Sequence, residues 1–367
     1  MHFALSEEHL ELASTVRSLL ARHADSVAVR AAMVSEVGYD GQLWRLLSEE
    51  VGAAALAIPE EYGGAGFSSF ETQIVLEQLG ASLAPSPLLG SAVVAADALL
   101  LAADDEACAR LLPGIADGTS VATVAWADAT GRWRTNGSGI RATPGEPWRL
   151  TGEATLVLDG ANADVVLAIA ETDDGVGIFE VLGDGVTRVA TPALDPTLRF
   201  ATLTFSDAAA RPLLLDAAAA VAGLRDRAIT AVSALQVGAA QRGLDMTVAY
   251  SQQRVQFGRA IGSFQALKHR MADMLLQVET ARTVSWAAGW SASVDAADLP
   301  ERAALAKAWC TTALDHVAAE TVQLHGGIAI TWEHDAQLLF KRAHALGQLF
   351  GDAGEHRRRF GELRGLG

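Results

Sequence analysis

The chain has 367 residues, of which 50% are hydrophobic and 20% are charged, so it can bury a core large enough for two or three packed subdomains. Aspartate and glutamate number 44 against 28 lysines and arginines, which gives a net charge of −16. This acidity argues against a nucleic-acid-binding protein, which needs a basic surface to displace counterions, and against adhesion to anionic membranes.

Cysteine content and hydropathy predict the compartment. Cys108 and Cys310 are the two cysteines, and their isolation fits neither a disulfide framework nor a zinc site. The N-terminal stretch is interrupted by acidic residues, unlike a signal peptide. Apolar runs fall short of the roughly 20 residues that a bilayer-spanning helix needs. We therefore expect a cytoplasmic protein without membrane insertion.

The first 117 residues predict helices. Ser6, followed by Glu7 and Glu8, is typical of a helix start, because a serine caps the first turn and acids favour its dipole. Further helical runs cover three segments: 41–51, 69–79 and 91–101. Between them, the three glycines of Pro59–Gly66 predict a shaped loop.

The middle of the chain predicts strands. From Val121 to about Asp207 the apolar period is two, and glycines separate short runs, which predicts an antiparallel barrel or sandwich. After Pro212 the helical period returns, with a long helix expected to use Gly258 as its C-cap and another to start at Pro300. The predicted fold is mainly α with a central β domain. Its three domains are an N-terminal helical domain (1–117), a middle β-barrel (118–212) and a C-terminal helical bundle (213–367).

Two segments in the second half carry side chains or turns suited to a ligand. In Arg254-Val-Gln-Phe257-Gly258, the guanidinium suits a phosphate and the aromatic ring offers a flat face, although such residues at a helix end are also ordinary surface. In Gln323-Leu-His-Gly-Gly327, adjacent glycines let the backbone approach a ligand, although they also simply end helices.

Together, three stretches resemble the acyl-CoA dehydrogenase family, and the resemblance covers essentially the whole chain. They are P-E-E-Y-G-G-A-G at 59–66, R-V-Q-F-G-R-A-I-G-S-F-Q at 254–265 and Q-L-H-G-G-I-A-I-T-W-E at 323–333. The resemblance implies a helical N-terminal domain, a β-barrel and a C-terminal four-helix bundle, with FAD as cofactor. It also implies that a glutamate removes the α-proton of an acyl-CoA while the flavin takes a hydride, and that an electron-transfer flavoprotein-type acceptor follows.

The resemblance also implies which residues contact FAD. In the family, part of each FAD site comes from the neighbouring subunit, through the R-x-Q-F-G and Q-x-H-G-G segments. Carried onto this chain, the cofactor-binding residues are Arg254, Gln256, Phe257, Gln323 and Gly327.

The departures from the family pattern concern the catalytic base. Phe350 occupies the usual position of the glutamate and Ala228 the alternative one, and neither can accept a proton. Asp352 and Asp226 are the nearest substitutes, although Asp352 is also well placed to cap a helix. Two further acids, Glu355 and Glu333, and two histidines, His344 and His356, are weaker candidates. We therefore predict no catalytic residue in this chain and no metal site.

The β domain departs from the pattern as well. Ala127–Gly131 replaces the Thr-Glu-Pro segment of the family, and Leu156–Asp159 replaces Trp-Ile-Thr-Asn beside the flavin ring. The residues a subunit lends to its neighbour are thus present, and those it needs for its own flavin are lost. This pattern resembles the partner subunit of heteromeric actinobacterial acyl-CoA dehydrogenases of steroid degradation, in an α2β2-type heterotetramer.

Two alternatives stay open at this point. The chain could form a homotetrameric FAD-dependent acyl-CoA dehydrogenase whose base is Asp352 or Asp226. It could also be a non-redox binding protein on the same fold, for which the acidic charge argues against nucleic acid as the partner. The acyl chain of the substrate is not predicted.

Overall fold

The computed structural model describes residues 5–366, which divide into two compact units. The first unit comprises Met1–Arg30, Gln73–Ala84 and Ile229–Gly367, and the second comprises Ala31–Thr72 and Pro85–Ala228. The division into domains 1–117, 118–212 and 213–367 stays a prediction. Residues 1–4 and 367 lie outside the described residues.

Helices precede and follow a run of strands, as predicted. The α-helices are α1 Glu7–His23, α2 Ser26–Val34, α3 Gly41–Glu49, α4 Ser69–Ser82, α5 Ala96–Ala102, α6 Asp105–Ala116, α7 Ala218–Gln253, α8 Gln265–Ser293, α9 Leu299–His325, α10 Asp335–Gln348 and α11 Ala353–Leu363. The strands are β1 Ala122–Ala125, β2 Ile140–Thr143, β3 Trp148–Leu158, β4 Val165–Glu171, β5 Val176–Val181, β6 Val186–Thr191, β7 Phe200–Leu214, β8 Val255–Gln256 and β9 Arg259–Ala260. A buried π-helix, Leu89–Ala95, leads into α5.

Local signals in the sequence place several helix ends. The Ser6 hydroxyl accepts a hydrogen bond from the His9 amide at 3.3 Å, and the His9 ring accepts one from the Ser6 amide at 3.2 Å. This capping box satisfies amides that the first turn leaves without partners, so the predicted helix start is confirmed. Pro300 lies in the first turn of α9, as predicted, where its missing N–H is not needed.

Strands β1–β7 form the sheet of the second unit. β4, β2, β3, β7 and β5 follow one another, and β5 pairs back onto β4, so these five strands close into a barrel. β1 joins at β4 and β6 at β7. Most pairs are antiparallel as predicted, but β4 pairs in parallel with both β1 and β2. The barrel interior is filled by buried residues including Leu150, Phe179 and Phe205.

The last strand of the barrel is longer than predicted. The sequence pattern placed its end near Asp207, but β7 continues to Leu214. Ala210 pairs with Trp148 of β3 and with Val181 of β5. The run of alanines has no apolar period of its own, so neighbouring strands decide its conformation.

Glycines let α4 and α7 pack closely in the first unit. A Cβ on Gly238 would lie 1.8 Å from the carbonyl oxygen of Glu77, and one on Gly80 would lie 2.2 Å from that of Leu235. Both positions therefore require glycine. The buried residues of α7, α8 and α9 are also small, and Ala281, Cys310 and Ala313 belong to one cluster. Within the described residues, no helix combines the length and the apolar content needed to cross a bilayer.

Candidate functional site

A two-stranded hairpin follows the long helix α7 and carries three of the predicted site residues. α7 ends at Gln253, and Val255–Gln256 pairs with Arg259–Ala260. The turn between them, Phe257-Gly258, has φ angles of 52° and 75°, as a type I′ hairpin turn requires. The prediction of Gly258 as the C-cap of α7 is therefore wrong, since this glycine lies in the hairpin turn, five residues after the last helical residue, Gln253.

The hairpin presents its side chains to solvent. The Phe257 ring is 92% exposed and meets the Phe264 ring edge-on, with centroids 6.2 Å apart. The backbone of Arg254 is held, because its amide donates to the Tyr250 carbonyl and its carbonyl accepts from the Ile261 amide, at 2.9 and 2.8 Å. Its guanidinium makes no hydrogen bond or ion pair with any residue between 5 and 366. The loop is thus fixed while a cation and an aromatic ring remain available.

A glycine turn at the end of α9 carries the other two predicted residues. α9 ends at His325, and Gly326 follows with φ 66° and ψ −145°. Gln323 and Gly327 are both exposed, and no atom lies within 4 Å of where a Cβ on Gly327 would stand. Because this backbone is uncovered, a ligand or another chain can approach it closely. Exposed apolar side chains follow it, with Ile330 at 76% and Trp332 at 54%.

Both segments rest on one aromatic stack. Tyr250, four residues before the hairpin arginine, stacks on His325 with ring centroids 4.4 Å apart. His325 bonds to the Thr321 carbonyl through Nδ1 at 2.7 Å and contacts the His334 ring at 4.8 Å. Burial lowers the pKa of both histidines, which favours the neutral form of each ring. The stack fixes the base of the hairpin relative to the glycine turn.

The usual base position holds a buried aromatic side chain. Phe350 follows α10, is 4% exposed and has a φ of 58°, and its carbonyl accepts a hydrogen bond from His356 Nε2 at 2.9 Å. Asp352, two residues on, is the N-cap of α11, and its carboxylate accepts the Glu355 amide at 2.8 Å. That bond lowers the pKa of Asp352, which makes it a weaker proton acceptor. His344, by contrast, is exposed.

The alternative base position lies on α7, in the second unit. Ala228 is 1% exposed and Asp226 is 3% exposed, so the alanine and the nearby acid are both buried. The absence of a catalytic residue stays a prediction. Among the described residues, no cluster of histidine, cysteine and acidic side chains could hold a metal ion.

Lys307 is a polar residue of the first unit that the sequence analysis missed. It is fully buried on α9, and its ammonium donates to the carbonyls of Leu346 and Gly347 at 2.7 and 3.0 Å. These carbonyls end α10, immediately before the usual base position. Burial lowers the pKa of Lys307 to about 7. The signal that could have revealed this residue was a lysine within an otherwise alanine-rich helix.

In the two barrel segments that depart from the family pattern, polar groups form hydrogen bonds with other groups of the same chain. Asp128 accepts hydrogen bonds from the Thr130 hydroxyl at 2.6 Å and from Arg134 Nε at 2.8 Å. Burial opposes ionisation, but these bonds lower the pKa of Asp128 to about 2. In the other segment, the Leu158 carbonyl accepts from the Thr123 hydroxyl, and Asp159 is held near Arg199 in a cavity of about 10 Å³. Leucines stand where the family pattern has tryptophan and threonine.

Comparison with known proteins identifies the family. Residues 6–119 match the acyl-CoA dehydrogenase N-terminal domain and residues 216–362 match the acyl-CoA dehydrogenase C-terminal domain. The acyl-CoA dehydrogenase IpdE2 of Mycolicibacterium smegmatis is 43% identical over 97% of this chain and 98% of its own length. The chain belongs to the acyl-CoA dehydrogenase family. It is therefore a member of a family of FAD-dependent oxidoreductases, as the sequence motifs predicted.

Two solved acyl-CoA dehydrogenase structures are close in fold and sequence. A variant of the Tcur3481–Tcur3483 steroid ACAD is 33% identical with a TM-score of 0.90, over 98% of both chains. The ChsE4–ChsE5 complex from Mycobacterium tuberculosis is 31% identical with a TM-score of 0.90, over 100% of this chain and 99% of the other. The predicted class, mainly α with a central β-barrel and helical N- and C-terminal regions, is confirmed.

FAD is the cofactor that membership of this acyl-CoA dehydrogenase family implies. The exposed segments fit one edge of it: the Arg254 guanidinium suits a pyrophosphate, the Phe257 ring a flat heterocycle, and the bare backbone at Gly327 a close approach. Gln256 and Gln323 add exposed amides. All five of these residues are exposed on the surface of their own chain.

Proposed function

We propose that this chain is the partner subunit of a heteromeric acyl-CoA dehydrogenase and that it completes an FAD site held mainly by a second, glutamate-bearing subunit. One observation carries the proposal. The residues that a subunit lends to its neighbour are exposed and available, whereas the position of its own base holds the buried ring of Phe350. An enzyme that worked alone would need an accessible carboxylate at this position in place of the buried ring.

The lent residues supply binding and orientation. Arg254 neutralises phosphate charge with its guanidinium, which extends from a backbone that hydrogen bonds already hold in place. Phe257 covers a flat cofactor surface and excludes water from it. Bound FAD supplies the hydride acceptor for α,β-dehydrogenation of an acyl-CoA thioester. Proton removal from the α-carbon falls to the glutamate of the other subunit.

The relatives support both the assembly and the substrate class. The ChsE4–ChsE5 complex and the Tcur3481–Tcur3483 steroid ACAD are each named as pairs of two different chains. By analogy, we infer an α2β2-type heterotetramer acting on a steroid-derived acyl-CoA, with an electron-transfer flavoprotein-type acceptor. Both cysteines are buried free thiols, which agrees with our placing this assembly in the cytoplasm.

The test compares the chain alone with the chain coexpressed with a glutamate-bearing family member from its own genome. We expect the isolated chain to hold far less than one FAD per chain and to show no bleaching of flavin absorbance by acyl-CoA. The coexpressed pair should copurify with one FAD per two chains and bleach. Full FAD occupancy with rapid bleaching in the isolated chain would refute the proposal and favour a homotetramer with its own base.

Substitutions in the copurified pair test the lent residues directly. Phe257→Ala and Arg254→Gln should each weaken FAD retention by about tenfold or more, since a hydrogen bond to a charged group contributes about 1.5–3 kcal/mol. Phe340→Ala and Arg358→Gln are matched controls, because both side chains are exposed outside the hairpin and the glycine turn. Equal FAD retention in all four variants would show that the hairpin does not face the cofactor.

A further inference from the structure

Three aromatic rings connect the two segments that carry the proposed FAD contacts. Tyr250 lies near the end of α7, His325 is the last residue of α9, and His334 immediately precedes α10. The His325 ring stacks on Tyr250 with centroids 4.4 Å apart and meets the His334 ring at a tilt, with centroids 4.8 Å apart. We call these three residues the aromatic clamp.

The aromatic clamp encloses the glycine turn. His325 comes directly before Gly326, and His334 comes shortly after Ile330, where the short 3-10 helix of the turn ends. Because the two histidine rings are in contact, the chain between them is a closed loop with few alternative conformations. The bare backbone of the glycine turn is therefore held from both ends.

The hairpin is joined to the aromatic clamp through its backbone. The Tyr250 carbonyl accepts the Arg254 amide at 2.9 Å, and the Arg254 carbonyl accepts the Ile261 amide at 2.8 Å. A shift of the Tyr250 ring is therefore passed on to the arginine at the start of the hairpin. Although the two FAD-contacting segments are far apart in sequence, the aromatic clamp makes their positions depend on each other.

Buried hydroxyls fix the aromatic clamp to the helices that carry it. Thr247 lies one turn before Tyr250 and Thr321 lies one turn before His325, and both threonines are fully buried. Their hydroxyl oxygens are 3.2 Å apart, within hydrogen-bonding distance. His325 Nδ1 also donates to the Thr321 carbonyl at 2.7 Å. Hydroxyls and rings thus join α7 to α9 in successive turns, and such a preformed arrangement reduces the ordering cost of binding.

His334 has a second task that can be separated from its ring contact. Its Nδ1 accepts the Ala336 amide at 3.1 Å and so caps α10. Asparagine is a good cap as well but has no aromatic ring. His334→Asn therefore removes one ring from the aromatic clamp while it retains a cap for α10.

Tyr250 contributes its ring and not its hydroxyl. The hydroxyl makes no hydrogen bond with any residue between 5 and 366. Phenylalanine at this position keeps the stacked face, whereas leucine removes it. Tyr250→Phe is therefore the matched control for Tyr250→Leu.

We propose that Tyr250, His325 and His334 are positioning residues, which hold the hairpin and the glycine turn together in the orientation that contacts FAD. They act through Arg254 and Gly327, the residues assigned to the cofactor contacts. This inference rests on the proposed function, and it adds that the two lent segments work as one unit.

The first test is hydrogen exchange in the isolated full chain, which requires no FAD. Tyr250→Leu should speed exchange of the Arg254 and Ile261 amides of the hairpin by about two- to tenfold, because that factor corresponds to the loss of an aromatic pair. The Thr331 amide, which bonds within the glycine turn, should exchange faster by a similar factor. Tyr250→Phe should exchange like the wild type. Faster exchange in only one segment, or in neither, would overturn the inference.

The second test measures FAD retention in the copurified pair. Tyr250→Leu and His334→Asn should each weaken it by about two- to tenfold, whereas Tyr250→Phe should retain it. When combined with Arg254→Gln, Tyr250→Leu should cause a smaller further loss than it causes alone, because the arginine that it positions is absent. A residue that only stabilised the fold would lower FAD retention by the same factor in both backgrounds.

The outcomes distinguish this inference from the proposed function. If Arg254→Gln weakens FAD retention while Tyr250→Leu and His334→Asn do not, the positioning role is wrong and the partner-subunit proposal stands. An equal loss from Tyr250→Leu with and without Arg254→Gln would also overturn the positioning role. If none of these variants changes FAD retention, the inference and the proposed function both fail. His334→Asn carries the test if Tyr250→Leu fails to fold, because the cap of α10 is retained.

Discussion

The buried lysine at the end of α10 makes stability depend on pH in a way that one substitution should remove. Burial lowers the pKa of Lys307 from 10.5 to about 7 in the folded chain. Between these values the unfolded chain holds a proton that the folded chain has released. The free energy of unfolding therefore rises with pH in this window, by about 1.4 kcal/mol per pH unit from this group.

The magnitude follows from the two pKa values. Below about pH 7 the lysine is charged in both states, and the folded chain bears the full cost of the buried charge. Between about pH 7 and pH 9 the lysine should add about 3 kcal/mol to the free energy of unfolding. Lys307→Met removes this contribution and also the hydrogen bonds to Leu346 and Gly347, a loss present at every pH.

The assay is urea unfolding of the wild type and of Lys307→Met at about pH 6 and about pH 9. The free energy of unfolding of the wild type minus that of Lys307→Met should be about 3 kcal/mol larger at the higher pH, while Lys268→Met, at an exposed lysine, should show no such change. Comparing differences cancels the constant hydrogen-bond loss. A Lys307→Met effect of the same size at both pH values would refute the reasoning, because it would mean that the buried lysine keeps its proton.

Two further predictions concern local structure. Asp352→Ala should destabilise the chain by about 1 kcal/mol in urea unfolding, because α11 loses its cap, and Asp352→Asn should recover most of that loss without affecting turnover of the assembled enzyme. Gly238→Ala should destabilise by about 1–3 kcal/mol, because the new methyl group meets the Glu77 carbonyl, whereas Gly361→Ala, with open space around it, should be neutral or slightly stabilising. Similar effects at the two glycines would contradict the packing argument.

The sequence predicted elements whose signals are local. The capping box at Ser6 and the proline in the first turn of α9 satisfy helix ends through nearby atoms, so their pattern is visible without a fold. The hairpin after α7 was missed, because its four strand residues are too few to show a period and Phe257 is an unusual residue at positive φ.

Features that depend on distant partners were beyond the sequence. The end of β7 is decided by pairing with β3 and β5, and an alanine run does not reveal it. Lys307 is far in sequence from the carbonyls it binds, those of Leu346 and Gly347. Each becomes visible only when tertiary structure sets the neighbours.

The individual residues of the candidate site could be predicted, because the family resemblance assigns a role to each matching position. The resemblance did not predict the contacts that join the hairpin to the glycine turn. The stack of Tyr250 on His325 links a residue before the hairpin to one before the glycine turn, 75 positions apart by number (325 minus 250). Damage to this stack should therefore disturb both segments together.

A carboxylate introduced at the usual base position tests whether the chain has a catalytic site of its own. Phe350→Glu places an acid where a buried ring now stands, and Phe350→Gln is the matched control with the same size and no charge. If the chain only completes a partner's FAD site, acyl-CoA should bleach no flavin absorbance in either variant. A base can remove the α-proton, but no hydride leaves the substrate without a flavin beside it to accept the hydride. Both should lose stability, Phe350→Glu by about 1–3 kcal/mol more at neutral pH, since its charge is buried. Acyl-CoA-dependent bleaching in isolated Phe350→Glu and not in Phe350→Gln would mean that the whole site lies in this chain except for one carboxylate, and the partner-subunit proposal would have to be abandoned.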